Sequence, residues 1–270
     1  MRLPSRTRPK APVSLRRSFI TPEGVDLKIE LGGAGSRAAA FILDGVFIIG
    51  ILVTAWLLLD TSASMHFGTA DRRKADVAEG ASLVIGRFVS RRSDRLGVIT
   101  FGGDRERIMP PAGGRNGMLN LLRALAVEPP EEGKAGATLA RALHTVATSR
   151  TTAGLVAIVS DFRGPIDWRA PLTAVAGRHA VVAIEVVDPR EDALVDVGEL
   201  TLIDPESGRS LKVDTSDRRL RTAFGEAAQA ERATVAAEFR RLGIRHIRLS
   251  TQGSWLDALA RSLDPTGRTA

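Results

Sequence analysis

Residues Phe47–Met65 read FIIGILVTAWLLLDTSASM. The first half has the unbroken apolar character of a membrane helix. The last six residues place one carboxylate and two hydroxyls at alternate positions, as a loop at the end of a buried strand would. No linker separates the two. From Ala38 to Leu59 the apolar run is interrupted only by Asp44, Gly45, Gly50 and Thr54, so its 22 residues have the length of a span. If a strand takes residues 54–60, only 38–53 remain for a helix. Those 16 residues cover about 24 Å at about 1.5 Å per residue, short of a hydrocarbon layer of about 30 Å. A parallel sheet buries its central strand on both faces, so the expectation is that the strand forms. The residues before it then become a hydrophobic helix projecting from its start.

Beyond Asp60 the pattern becomes one of alternating strand-length and helix-length segments. LGVITF (96–101), GLVAIVS (154–160), HAVVAIEVV (179–187) and IRHIRLS (244–250) read as strands. Between them, residues 71–91 place Val77, Ala81, Val84, Ile85 and Phe88 on one helical stripe. Residues 217–242 do the same with Leu220, Phe224, Ala227, Val235 and Leu242, broken by Glu231. Segments 115–126, 138–149 and 167–177 read as shorter helices, and 199–215 as a hairpin turning at PESG. This alternation predicts an α/β fold with a doubly wound, mostly parallel sheet covered by helices on both faces. The expected organisation is a basic, largely disordered tail (1–33), a hydrophobic helix (34–53), the α/β domain (54–264) and a short tail (265–270).

Sites in doubly wound sheets form at the carboxyl ends of strands, near the switch point. Three junctions carry oxygen donors there: Asp60, Ser62 and Ser64 in LLLDTSAS, Thr138 in GATLARAL, and Asp161 in IVSDF. Oxygen donors suit a hard divalent cation such as Mg²⁺, with Mn²⁺ or Ca²⁺ as substitutes. Only two of the five donors are charged, so they bring no negative excess to a divalent ion, and an open coordination position would favour a carboxylate supplied by a partner protein. Each piece alone has a plainer reading, as a helix cap or turn residue. Their order along successive junctions is what points to a metal.

Composition closes other routes. There is no cysteine, so disulfides and thiolate sites are excluded. His66, His144, His179 and His246 lack paired ligand spacing and read as surface or packing residues. No GxxxxGK[ST] loop is present, and GGAGS (32–36) lacks the context of a dinucleotide fingerprint. The net charge of +7 is spread along the chain apart from the acid-free basic stretch of residues 1–17, so no nucleic-acid partner is expected. That basic stretch fits the cytoplasmic flank of a membrane segment.

DTSAS, GATL and SDF together resemble the metal-ion-dependent adhesion site of von Willebrand factor A domains. Residues 57–264 resemble, more narrowly, the domain of unknown function 58 family, through LLLDTSASMHFGT, DRLGVITFGG, ATLARAL, LVAIVSDF, RHAVVAIEVVDPRE and DPESGRSLKVDT. The resemblance implies that Asp60, Ser62, Ser64, Thr138 and Asp161 coordinate the metal, and that the domain has no catalysis of its own. It also implies a MoxR-type AAA+ ATPase as a working partner in assembling or activating other proteins. The N-terminus departs from that family. TPEGVDLKIELGGAGSRAAAFILDGVFIIGILVTAWLL (21–58) resembles the opening of RDD-family membrane proteins, whose Arg and Asp seven residues apart are matched by Arg37 and Asp44. The chain thus reads as an RDD-like start fused near residues 55–59 to an A domain. The expectation is a cytoplasmic metal-dependent interaction module, membrane-associated through 36–53 and not an enzyme. The alternatives are an RDD-type membrane component with a truncated A domain, or a metal-assisted hydrolase. Against the hydrolase, Ser62 stands where a haloacid-dehalogenase-type site needs its second acid.

Overall fold

The computed structural model describes residues 16–20, 26–30, 54–68, 71–91, 94–103, 106–126, 136–203 and 209–263. The chain forms two compact units, residues 1–51 and 52–270. In the first, strands β1 (Arg16–Ile20) and β2 (Asp26–Glu30) pair antiparallel, with Arg16 opposite Glu30 and Ile20 opposite Asp26. Of the basic tail expected over 1–33, these two strands are the part that lies among the described residues. The hydrophobic helix expected over 34–53, and with it Arg37 and Asp44, lies outside the described residues. Among the described residues no helix is long and apolar enough to cross a membrane.

The second unit is built on six strands: β3 (Thr54–Asp60), β4 (Arg95–Phe101), β5 (Arg107–Gly113), β6 (Leu155–Ser160), β7 (Ala180–Val187) and β10 (Arg245–Ser250). Their spatial order is β10-β7-β6-β3-β4-β5, and every pairing is parallel except β4 with β5. The chain leaves β3 towards β4 on one side and returns to β6 on the other. The switch point therefore lies between β3 and β6. β3 is the central strand the sequence predicts, and all seven of its residues are buried. Leu57 and Leu58 have no solvent exposure, and each full burial of this kind contributes about 1.5–3 kcal/mol.

Alternation along β3 serves two cores. Ala55, Leu57 and Leu59 meet helices α1 (Lys74–Arg91), α2 (Gly114–Leu125) and α6 (Trp255–Leu263), through Val77, Ala81, Leu121 and Leu259. Trp56 and Leu58 meet α3 (Leu139–Thr148), α4 (Arg169–Ala176) and α5 (Arg218–Arg241), through Leu143, Val146, Leu172, Val235 and Phe239. Strands β8 (Glu199–Ile203) and β9 (Ser210–Asp214) form the hairpin expected after β7.

Four details differ from the sequence reading. β5 was not expected, because its RIMPPAG carries two prolines; it is an antiparallel edge strand whose register against β4 shifts between Leu96 and Val98, the setting that tolerates them. α6 was also not expected, although Ser254 and Asp257 form a capping signature and the Asp257 N–H donates to the Ser254 hydroxyl at 3.4 Å. Phe88, placed on the buried stripe of α1, is 57% exposed. On α5 the fully buried anchor is Phe239, which the expected stripe omits; its ring stacks on Trp168 at 5.6 Å.

Candidate functional site

The carboxyl ends of β3 and β6 place Asp60 and Asp161 on either side of the switch point. Past β3 the chain turns at once. The Thr61 N–H and hydroxyl both donate to the Phe101 carbonyl, at 2.8 and 2.9 Å, which ties the loop to the end of β4. The Ser62 N–H donates to Asp60 Oδ1 at 2.9 Å, and the Ser62 and Ser64 hydroxyls lie 3.0 Å apart. A 3₁₀ turn (Ala63–His66) follows, anchored by the buried Met65.

Gly102 makes this cradle possible. Its φ of +84° is a conformation that side chains rarely adopt, and a Cβ there would lie 2.7 Å from Asp60 Oδ1 and 2.6 Å from the Ser62 nitrogen. The same loop receives the segment before α3. The Gly102 N–H donates to Ala137 O at 2.6 Å and the Ala137 N–H to Gly103 O at 3.2 Å. This pairing carries Thr138 to the edge, where it is the exposed N-cap of α3 and its hydroxyl accepts from the Arg141 N–H at 3.3 Å.

The turn after β6 is equally constrained. Phe162 has φ +53°, an outlier for a bulky residue. Its N–H donates to the Ser160 hydroxyl at 3.0 Å, and its ring lies edge-on to Phe239 at 4.9 Å. The Ser160 hydroxyl in turn donates to Asp60 Oδ2 at 2.5 Å. Asp161 Oδ1 accepts from the Arg163 N–H at 3.1 Å, and Oδ2 accepts from Lys74 Nζ at 2.7 Å. The same ammonium donates to Glu191 Oε1 at 2.6 Å. Glu191 closes the 3₁₀ turn Pro189–Glu191 after β7 and completes its capping box with Asp188.

The two aspartates are both buried, and their electrostatics diverge. Burial pushes the Asp60 carboxyl up to about 7; the charge of Asp161 adds to this, and hydrogen bonds from Ser160 and Ser62 oppose it. Burial works in the same direction on Asp161, but the charge and hydrogen bond of Lys74, joined by hydrogen bonds from the Arg163 N–H and Ser64, together hold that carboxyl below its ordinary range.

Of the five residues singled out in the sequence, Asp60, Ser62, Ser64 and Asp161 are joined by these contacts. Thr138 reaches the same edge through its loop, with its hydroxyl turned to capping α3. Among the described residues no three His, Cys, Asp or Glu side chains cluster as metal ligands, so any cation here would rest on two carboxylates and on hydroxyls. Sequence reasoning missed Lys74, Glu191, Ser160 and Gly102. Lys74 falls at the first residue of an amphipathic helix, where a cation reads as solvated surface; only the fold buries it. Of the histidines, His246 pairs with Glu185 at 2.8 Å and packs on Phe239, and His179 Nδ1 accepts from the Gly154 N–H.

A mostly parallel sheet in this order, with DTSAS at its switch point, defines a von Willebrand factor A-like domain. The chain belongs to the family described as protein of unknown function DUF58, whose model matches residues 51–234. It is 39% identical over 208 residues to an uncharacterized protein of Mycobacterium tuberculosis, an alignment covering 76% of this chain and 65% of that one. The chain thus spans about two thirds of that relative's length. An uncharacterized protein of Mycobacterium avium is 38% identical over 162 residues, covering 60% of this chain and 95% of that one. The fold is shared with the solved structure of an aerotolerance-related membrane protein from Bacteroides fragilis. The TM-score is 0.50 at 16% identity, over 78% of this chain and 98% of that one.

Proposed function

We propose that this domain is a divalent-metal-dependent protein-interaction module without catalysis of its own. Asp60, Ser62, Ser64, Thr138 and Asp161 would hold Mg²⁺, and a carboxylate of a partner protein would complete its shell. The observation that carries the reading is the convergence of two buried aspartates at one switch point, linked through Ser62 and Ser64. The donor chemistry fits a hard ion, since every side chain offers oxygen. A cation already stands in: the Lys74 ammonium lies 2.7 Å from Asp161 Oδ2. When bound, the ion would supply the charge that two neighbouring carboxylates need in order both to be ionised. Mg²⁺ titration by calorimetry, with Asp60→Ala as the comparison, tests the reading. Heat of binding from the wild-type chain and none from the variant is expected, and equal binding by both rejects it.

The resemblance to the family further suggests a MoxR-type AAA+ ATPase as partner, in assembling or activating other proteins. The domain would work in the cytoplasm, with residues 36–53 bringing it to a membrane; the structural neighbour from Bacteroides fragilis is named a membrane protein. Fractionation of cells expressing the full chain tests this part, and full recovery in the soluble fraction would count against it.

A further inference from the structure

We propose that Lys74 is a resident counter-cation of the site: it occupies Asp161 while the metal is away, and Glu191 retains it when the metal takes Asp161. This inference rests on the metal reading above.

Lys74 sits at the site against several ordinary preferences. It is the first residue of α1, the end of a helix that disfavours positive charge. Its side chain has no solvent exposure, and an ammonium leaves water only at a cost of several kcal/mol unless it is paired. The chain also uses arginine almost throughout, with only five lysines among its 38 Lys and Arg residues. Arginine would serve poorly here. Its planar fork engages carboxylates bidentately, whereas a compact ammonium on a flexible stem can exchange partners without moving the backbone. The backbone is in fact fixed, since the Lys74 N–H donates to Phe67 O at 2.9 Å.

Two carboxylates hold the ammonium, and they differ. Asp161 belongs to the candidate donor set: Ser64 hydrogen-bonds to it, and its charge acts on Asp60. Glu191 does not belong to that set. It is set by its own capping box after β7, and its second oxygen faces the Arg163 guanidinium at 3.6 Å. Asp161 Oδ1 accepts from the Arg163 N–H and Oδ2 from Lys74, so a metal that takes Oδ2 would contend with the ammonium for it. With Glu191 at 2.6 Å, Lys74 can yield Oδ2 and keep a partner of opposite charge. The ammonium is thus paired with or without the metal, and the affinity of the site for a divalent ion would be set by how firmly Glu191 draws the ammonium away.

The test is Mg²⁺ and Mn²⁺ calorimetry on the full chain, together with NMR of ¹⁵N-labelled lysine ammonium groups. Lys74→Met should bind Mg²⁺ about tenfold or more tightly than wild type, because a unit positive charge within hydrogen-bond distance of Asp161 has gone. Glu191→Gln should bind several-fold more weakly, because Lys74 then has Asp161 as its one charged partner among these contacts. In the wild type the Lys74 ammonium signal, protected by burial, should shift on Mg²⁺ saturation. Because Lys74→Met leaves two carboxylates facing each other, Lys74→Met/Glu191→Gln is measured against Glu191→Gln and should show the same gain. Wild-type binding with no gain in either background, or with an ammonium signal indifferent to Mg²⁺, overturns the role of Lys74 and leaves the metal reading standing. Failure of all the chains to bind overturns both. Binding by the methionine variants alone supports both.

Discussion

Two strand ends in this protein finish in the same residue and do opposite things with it. β3 ends in Asp60 and β6 is followed by Asp161; both are buried and both meet a neighbouring serine. Burial pushes Asp60 up to about 7, with the Asp161 charge adding to it, while Lys74 holds Asp161 low. Residue type and burial alone therefore do not decide the behaviour of these carboxylates; the cation beside one of them, with the hydrogen bonds it accepts, sets it apart. The β6 end carries a buried ammonium beside its carboxylate, and the β3 carboxylate is held by hydrogen bonds from Ser160 and Ser62.

The comparison can be broken most severely at Gly102. Gly102→Ala places a methyl within 2.7 Å of Asp60 Oδ1 at a φ of +84°. Strain and overlap together should cost about 4 kcal/mol. Chemical denaturation should show the loss, and the Asp161 end should keep its Lys74 contact.

Asp60→Asn should go the other way in metal-free protein. An acid raised in the folded state binds its proton more tightly there than in the unfolded chain. Stability therefore falls as pH rises from about 3.8 to about 7 and stays lowered above. Removing the ionisable group relieves this by up to about 4 kcal/mol above pH 7. Thermal melts in chelator should find the variant more stable than wild type at pH 8, with the gap closing towards pH 4. If Mg²⁺ binds as proposed, saturating metal should shrink or reverse the gap.

Asp161→Asn should be destabilising across the same range, by about 2 kcal/mol, because it takes one of two carboxylates from a buried ammonium. The sign follows from a lowered carboxyl. Its contribution is present above the unfolded-state value and is lost as pH falls through the folded one. The Asp161→Asn deficit should thus fade in acid, where the Asp60→Asn gain also fades. Two variants of equal chemistry with opposite signs at pH 8 would confirm the asymmetry, and equal signs would dissolve it.

Much of this was legible in the sequence. The unbroken apolar run ending in DTSAS placed β3 in the centre of the sheet, because only a strand buried on both faces tolerates TAWLLL without alternation. Asp60, Ser62, Ser64 and Asp161 could be named because their positions follow strand ends, and strand ends in such sheets converge. What stayed hidden depends on three-dimensional pairing. Lys74 lies 87 residues from Asp161 and 117 from Glu191 along the chain. Nothing local marks it, and the helix periodicity that placed Val77 and Ala81 says little about a first-turn cation. Gly102 carries no local mark either, because its role lies in the Asp60 carboxylate, 2.7 Å from where its Cβ would stand. β5 was masked by Pro110 and Pro111, which argue against a strand unless it is known to lie at an edge.

The mildest change sharpens the contrast from outside. Arg163 touches the Asp161 end twice, through a backbone N–H on Asp161 Oδ1 and through a guanidinium 3.6 Å from Glu191 Oε2. Arg163→Ala removes only the second contact. The guanidinium is about a third exposed, so solvent screens the pair and the loss should stay below about 1 kcal/mol. The backbone bond, the Phe162 turn and the Lys74 contact all remain. Denaturation midpoints near wild type, with Asp161 still ionised by NMR titration at pH 5, would show that the order of the β6 end comes from the buried ammonium and the turn. A loss as large as that of Asp161→Asn would instead move the support of that end outward to the surface cation.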